Sequence, residues 1–317
     1  MSDIEPTRIE DRVLGFVLPA RNVRGRIVRL GPVLNEVLAP HNYPPIIEKL
    51  VAEALVLAAL LGAMLKDDLG QLTLQAQTQQ GCVSLLVADY KAGEVRGYAK
   101  YDAEKLSYLG NAPSLFGLFG KGYLAITFDQ ATTGERYQGI VPLEGGSLGT
   151  AAENYFAQSE QIPSIVKISV RHEDGAGCIG AGILLQHLPE GEVGRERLHV
   201  RQDHPDWEHV TVMAGTLSDA ELTDPALPLE DIAWRLFHEE PEVRAFPPGK
   251  IAKGCRCDPD HIRSVLSRFG EAERAEMIDE RGLIAVDCAF CSRIFDVSLD
   301  ELEPAERAET ASADRPN

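Results

Sequence analysis

Four of the six cysteines fall in two close pairs near the carboxy terminus, Cys255-x-Cys257 and Cys288-x-x-Cys291, with thirty residues between the pairs. Two paired-thiol arms supply four sulfur ligands, the number that a tetrahedral Zn2+ site needs, at about 2.3 Å each. Zinc is the reading these residues favour. Iron accepts the same geometry, although a rubredoxin-like site more typically uses two CxxC arms. Each pair can also close on itself as a disulfide. A structural staple, an electron-transfer centre and a thiol switch are therefore all chemically open. Lys250, Lys253, Arg256 and Arg293 can offset the charge of four thiolates. His261 can substitute for a cysteine, but its pattern places it on a helix beside Ile262.

A metal that bridges the thirty-residue interval removes roughly 3–4 kcal/mol of unfolded-chain entropy. Disulfides within each pair do not preserve that long closure, so oxidation can exchange a folding clamp for two local knots. A terminal module of this size has little core of its own, and metal and folding are then coupled. Cys82, before Val83, and Cys178, between Gly177 and Ile179, sit in strand patterns instead. Both read as small buried hydrophobes.

The elements around the pairs follow from local pattern. "DPDHIRSVLSRF" and "EAERAEMIDE" are two short helices separated by Gly270, and "GLIAVDC" and "SRIFDVS" are the strands of a hairpin. Upstream, Val23 to Leu30 is a first strand. A helix begins after Pro45 and runs to about Lys66, with Ile46, Leu50, Ala54, Leu57, Leu61 and Leu65 at helical spacing. "QLTLQAQT", "CVSLLVADY", "VRGYAKY", "YLAITFD" and "RYQGIVPL" are strands. "LGNAPSLFGLFGKG" reads as a glycine-rich surface turn and lacks the GxxxxGK[ST] phosphate cradle. A helix starts near Ser147 and stops before Pro163, and "SIVKISV" and "GCIGAGILLQHLP" are further strands. Residues from about 20 to 190 thus form a mixed α+β domain.

Beyond Pro189 the character changes. Residues 190–250 hold fourteen Asp and Glu against six Lys and Arg, and prolines interrupt the segment. Trp207, Val210, Met213 and Leu217, and then Leu229, Ile232, Leu236 and Phe237, have the spacing of short amphipathic helices. Such helices are marginal alone and need docking. If released, Trp207, Val210, Met213, Leu236 and Phe237 offer apolar contacts to a client while the acids keep the segment soluble.

Composition narrows the function. The 317 residues carry a formal charge of −18, which disfavours binding to nucleic acid or to anionic membranes. "ALVLAALLGAML", from Ala54 to Leu65, is twelve uncharged residues flanked by charge, short for a membrane span. No export signal is visible, so a soluble, cytoplasmic protein is expected. An enzyme lacks support: "GGSLG" around Ser147 is not GxSxG, and Asp129, His172, Glu173 and His187 are dispersed. A soluble binding or regulatory protein with a purely structural zinc module is the other alternative.

The arrangement resembles the redox-regulated holdase chaperones of the thirty-three-kilodalton heat-shock protein family. The resemblance runs from about Asp11 to Leu302. It rests most on the two cysteine pairs, with Phe290 and Phe295 nearby, and on "RLFHEE" and "EMIDERG". "YPPIIEKLVAEALVLAALLG", "QGIVPLEGGSLGTAAENYFAQSEQIPS" and "GILLQHLP" carry it into the amino-terminal half. The resemblance implies an ATP-independent, stress-responsive chaperone rather than an enzyme. It implies one Zn2+ per chain in the reduced state, held by Cys255, Cys257, Cys288 and Cys291. Oxidation is then expected to form Cys255–Cys257 and Cys288–Cys291 disulfides, release zinc and destabilise the linker. Unfolding proteins are the expected clients, with a homodimer on activation. The implied organisation is a 1–189 α+β domain for substrate binding and dimerisation, a 190–250 metastable acidic helical linker, a 251–302 zinc-binding redox switch and a 303–317 flexible tail.

Overall fold

The computed structural model describes residues 9–65, 69–110, 112–173, 177–189 and 203–302. The expected tail at 303–317 and the start of the middle segment at 190–202 lie outside the described residues. The chain divides into two compact units, Met1–Gly254 and Cys255–Asn317.

The first unit contains two antiparallel-dominated sheets and the helices that cover them. Its elements in chain order are β1 (Arg12–Leu18), β2 (Val23–Leu30), α1 (Pro32–Leu38), α2 (Pro45–Gly62), β3 (Gln71–Gln77), β4 (Val83–Lys91), β5 (Glu94–Tyr101), α3 (Ala103–Ser107), α4 (Leu115–Phe119), β6 (Tyr123–Asp129) and β7 (Arg136–Pro142). After these come α5 (Leu148–Tyr155), β8 (Ser164–Glu173), β9 (Gly177–His187), α6 (Pro205–Gly215), α7 (Asp219–Thr223), α8 (Leu229–Phe237) and the two-residue strands β10 (Arg244–Ala245), β11 (Gly249–Lys250) and β12 (Ala252–Lys253). One sheet has the order β10-β1-β2-β9-β8, with β11 also paired to β1, and the other has the order β12-β5-β4-β3-β6-β7.

Helix α2 lies between the sheets and is buried from Leu50 onward on nearly every side. Its close approach to β9 explains the small residues in "CIGAGILL". A Cβ at Gly182 would sit 2.8 Å from Leu60 and 2.9 Å from Val56, so a side chain there would push the helix off the sheet. The other face of the same sheet is covered by α6, α7 and α8. Val13, Val28, Leu30 and Leu184 point into the α2 core. Leu14, Phe16, Leu18, Ile27, Ile183 and Leu185 point into a second core with Trp207, Val210, Leu229, Ile232, Leu236 and Phe237. Burial on both faces makes such strands read as continuous apolar runs rather than alternating ones.

Val23–Leu30, expected as the first strand, is the second. The structured sheet begins before residue 20, at β1, which pairs along its whole length with β2. A second correction concerns the glycine-rich turn. Within it, α4 is a short helix capped by Ser114, whose hydroxyl accepts from the Gly117 amide, and Leu115, Leu118 and Phe119 are buried. The helix near Ser147 forms as expected, with the Ser147 hydroxyl accepting from the Thr150 amide.

The second unit holds α9 (Pro259–Leu266), α10 (Glu271–Glu276) and a hairpin of β13 (Ile284–Asp287) and β14 (Ile294–Val297). Among the described residues its buried apolar cluster is Leu266, Ile284, Val297 and Leu302, and Phe295 is buried apart from that cluster.

Candidate metal and redox site

The hairpin of the second unit positions one thiol pair. Cys288 follows β13 directly, and its carbonyl accepts from the Cys291 and Ser292 amides at 3.3 and 2.8 Å, while its own amide donates to the Arg293 carbonyl. Ser292 takes φ +54°. The chain is thereby folded into a tight knuckle with both sulfurs on its inside. The other pair lies in the extended segment just before α9, whose first turn is capped by the Asp258 carboxylate accepting from the Asp260 amide.

All four sulfurs lie within 4.8 Å of one another. Cys255 Sγ is 3.7 Å from Cys288 Sγ, and Cys257 Sγ is 3.3 and 3.4 Å from the sulfurs of Cys288 and Cys291. A tetrahedron with 2.3 Å metal–sulfur bonds has edges of about 3.8 Å, so these separations approach that set, and the 2.7 Å Cys255–Cys257 edge is the short one. All six cysteines are free thiols, and these four are partly buried. The donor set fits one Zn2+: four thiols from two arms, with no oxygen or nitrogen donor among the group. His261 is not in the cluster; it is exposed on α9.

The thiols are electrostatically unequal. Burial, with the hydrogen bonds that the Cys257 thiol donates to the sulfurs of Cys255, Cys288 and Cys291, pushes Cys257 well above the usual range. Burial also raises Cys255. At Cys288 burial opposes the thiolate, but hydrogen bonds from Cys257, from the Phe290 and Cys291 amides and from Cys255 outweigh it and hold the group at about 7. Crowding four sulfurs thus favours one thiolate and penalises the next, which is the imbalance a divalent cation removes. Two of the expected compensating cations are engaged elsewhere. The Lys253 ammonium donates to the Glu36 carbonyl at 2.7 Å, and the Arg293 guanidinium stacks 5.1 Å over the Phe295 ring.

Cys82 and Cys178 are buried in the first unit, as expected, and burial pushes both thiols up, Cys178 to about 12. The dispersed polar residues do not assemble into a catalytic group. Asp129 pairs with Arg136 across β6 and β7, whereas His187 is buried and stacked on Trp207 at 5.8 Å between ring centroids.

The candidate client residues are covered. Trp207, Val210, Leu236 and Phe237 are buried against β1, β2 and β9, Met213 is partly so, and Phe237 meets Phe16 with ring centroids 5.8 Å apart. Pattern reading missed the polar ties beneath these helices. Arg29 is buried and donates to the Leu222 and Leu227 carbonyls, and burial lowers its guanidinium to about 10. Glu240 is buried and accepts from Arg21 and His209, each at 2.9 Å. The available signal was a charged residue at Arg24, Arg26 and Arg29 within an otherwise apolar strand. Val212 and Trp234 are exposed apolar residues of the same segment.

The fold and the four-sulfur centre together define a class: redox-sensitive chaperones with a zinc-binding tetracysteine cluster. A family model described as Hsp33 protein matches residues 11–298. The chain is 39% identical over 304 residues to a 33 kDa chaperonin of Caulobacter vibrioides, covering 93% of this chain and 98% of the relative. It is 31% identical over 306 residues to a 33 kDa chaperonin of Yersinia pestis, covering 96% and 98%. The crystal structure of a 33 kDa chaperonin from Thermotoga maritima superposes with a TM-score of 0.74 at 22% identity, over 92% of this chain and 96% of that one. The chain belongs to the Hsp33 family, whose members are chaperones rather than enzymes. Among the described residues no helix is long and apolar enough to cross a membrane.

Proposed function

We propose that this chain is an ATP-independent holdase switched by its tetracysteine centre, with Cys255, Cys257, Cys288 and Cys291 holding one Zn2+ in the reduced state. Each cysteine pair gives up two electrons to a peroxide-class oxidant, which leaves as water, and becomes a Cys255–Cys257 or Cys288–Cys291 disulfide. The sulfurs then no longer serve as ligands. Residues 251–302 act as the redox switch, 190–250 as the conditional linker, 1–189 as the stable domain and 303–317 as a tail.

The observation that carries this reading is the small core of the switch. Among the described residues of this unit a cluster of four buried apolar side chains, with Phe295 buried apart from it, is all the apolar core there is beside the four converging sulfurs, so its folding depends on the metal. Loss of that order reaches the linker along the chain: β11 and β12 pair with β1 and β5 and end two residues before Cys255. Weakening these short strands loosens α6, α7 and α8, and Trp207, Val210, Met213, Leu236 and Phe237 become surface that holds an unfolding protein. The activated form associates as a homodimer.

The test combines hydrogen exchange with an aggregation assay before and after peroxide and mild unfolding stress. Faster exchange in 203–250, with new suppression of client aggregation and intact protection in α2, is the expected result. Zinc loss with unchanged protection and no client binding leaves a structural staple only. Light scattering on the same samples reads the dimer.

A further inference from the structure

We propose that Glu48, His172 and Cys178 form a second, three-donor site for Zn2+ or a similar borderline divalent cation, in the first unit and independent of the tetracysteine centre. His172 and Cys178 are direct partners in the antiparallel β8–β9 ladder, so their side chains project from the same face. Helix α2 packs on those two strands, and its first turn brings Glu48 to that face. The ligating atoms of all three lie within 4.8 Å of one another. His172 Nε2 is 3.4 Å from Glu48 Oε1. Two ligands bound to one tetrahedral ion at 2.0–2.1 Å are separated by about 3.3–3.4 Å, so this pair already stands at the spacing of a shared ligand edge.

An ion pair between His172 and Glu48 accounts for two of the three groups and apolar burial for the third, but neither accounts for the convergence of all three ligating atoms. A cysteine nucleophile is disfavoured, because Cys178 is 1% exposed and has a carboxylate beside it. Metal binding uses all three. One imidazole, one thiolate and one carboxylate suit zinc's mixed preference, and two negative donors cancel the charge of the dication. The carboxylate that opposes a bare thiolate becomes its co-ligand. His172 is 64% exposed at its side chain, so the fourth position faces water.

The cysteine is also held from behind. Asn35 Oδ1 accepts from the Cys178 amide at 2.9 Å. Gly177, at φ +77°, makes room for that amide side chain, which a Cβ there would meet at 2.5 Å. Three mixed donors bind more weakly than four thiolates, so the tetracysteine centre fills first and this site second. A bound ion ties the start of α2 to the β8–β9 hairpin and stabilises the first unit by mass action.

The test is equilibrium dialysis of the reduced full chain against micromolar free Zn2+, followed by metal and protein quantitation. Wild type is expected to hold two ions, and His172→Ala and Cys178→Ser one each, with second-site affinity down roughly tenfold or more. Retention of the first ion and an unchanged far-ultraviolet spectrum show that the variants are folded; His172, being exposed, keeps the test valid if Cys178→Ser is not. Adding Co2+ to the protein with one Zn2+ bound should give a thiolate-to-metal absorption band that Cys178→Ser abolishes. One ion per wild-type chain at saturation, or a second ion that persists in His172→Ala, overturns the proposal. Because the tetracysteine stoichiometry is read in the same samples, failure here is separable from failure of the redox switch.

Discussion

The first unit and the second solve the folding problem in different ways. In the first, α2 is buried between two sheets, and one sheet is buried on both faces, so apolar contact closes two cores without a metal. In the second, Leu266, Ile284, Val297 and Leu302 form a cluster too small to hold two short helices and a hairpin, and the thiol centre makes up the difference. The contrast teaches where a signal can enter. The first unit's core keeps its thiols, Cys82 and Cys178, buried away from an oxidant, whereas the four sulfurs of the second unit are only partly buried. The helices α6, α7 and α8 stand between these cases: their apolar residues are well buried, but they are short and rest on polar ties.

Metal removal should break the comparison most sharply. A chelator applied to the reduced chain should abolish amide protection across β13 and β14 and leave α2 and β3 to β6 protected. Structural zinc contributes on the order of 10 kcal/mol to small metal-dependent modules, about as much as burial of the small apolar cluster, roughly 6–12 kcal/mol, so removing it takes away about half of what opposes the chain's ordering entropy. Exchange read by mass spectrometry checks this. Retained protection in β13 after complete zinc loss would show a self-sufficient core and remove the basis of the switch.

The next effect is at the docking face. Phe237→Ala removes a fully buried ring that meets Phe16, and such truncations cost about 3–5 kcal/mol. The loss should appear as faster exchange in α8 and as client binding without oxidant. Unchanged resting activity with accelerated exchange would mean that the exposed segment is not what clients recognise.

How far the sequence revealed this arrangement depended on what each residue's environment leaves visible. The thiol pairs were legible because their chemistry and spacing are local, and so were the β13–β14 hairpin and the apolar spacing of α6 and α8. β1 was not: Arg12–Leu18 is a seven-residue run without alternation, directly after an acidic start, and it is shorter than the apolar run of β9 that did stand out. The role of "CIGAGILL" was hidden too: its glycines answer to Val56 and Leu60 on a helix more than a hundred residues earlier. Arg29 was invisible for the same reason, since its acceptors lie near residue 225.

Arg29 sharpens the comparison at smaller scale. Its guanidinium is buried and donates to two carbonyls at the end of α7 and the start of the turn before α8. Arg29→Met relieves a buried charge but strands both acceptors, and unsatisfied buried acceptors cost about 1–3 kcal/mol. The acceptors belong to the docked helices and the donor to the sheet, so exchange should quicken in 219–237 and not in β3 to β6. A global drop in stability, with both regions opening together, would show that the helices are not a separable layer.

The smallest effect distinguishes sulfurs within the centre. In the metal-free reduced chain, Cys288 is held at about 7, while Cys257 is pushed well above the usual range. The attacking species is the thiolate. Cys288 should therefore be about half ionised near pH 7, and its reaction should slow about tenfold for each pH unit below 6 and level off above 8. Cys257 should stay slow throughout. Ring geometry acts in the same direction, because a CxxC disulfide closes a larger and less strained ring than CxC. Together they make Cys288–Cys291 the first bond and Cys255–Cys257 the second. Timed alkylation with peptide mapping at several pH values reads both the order and the inflection. Equal rates at Cys257 and Cys288, or a first-formed link joining the two arms, would show that the hydrogen bonds within the cluster do not set its reactivity.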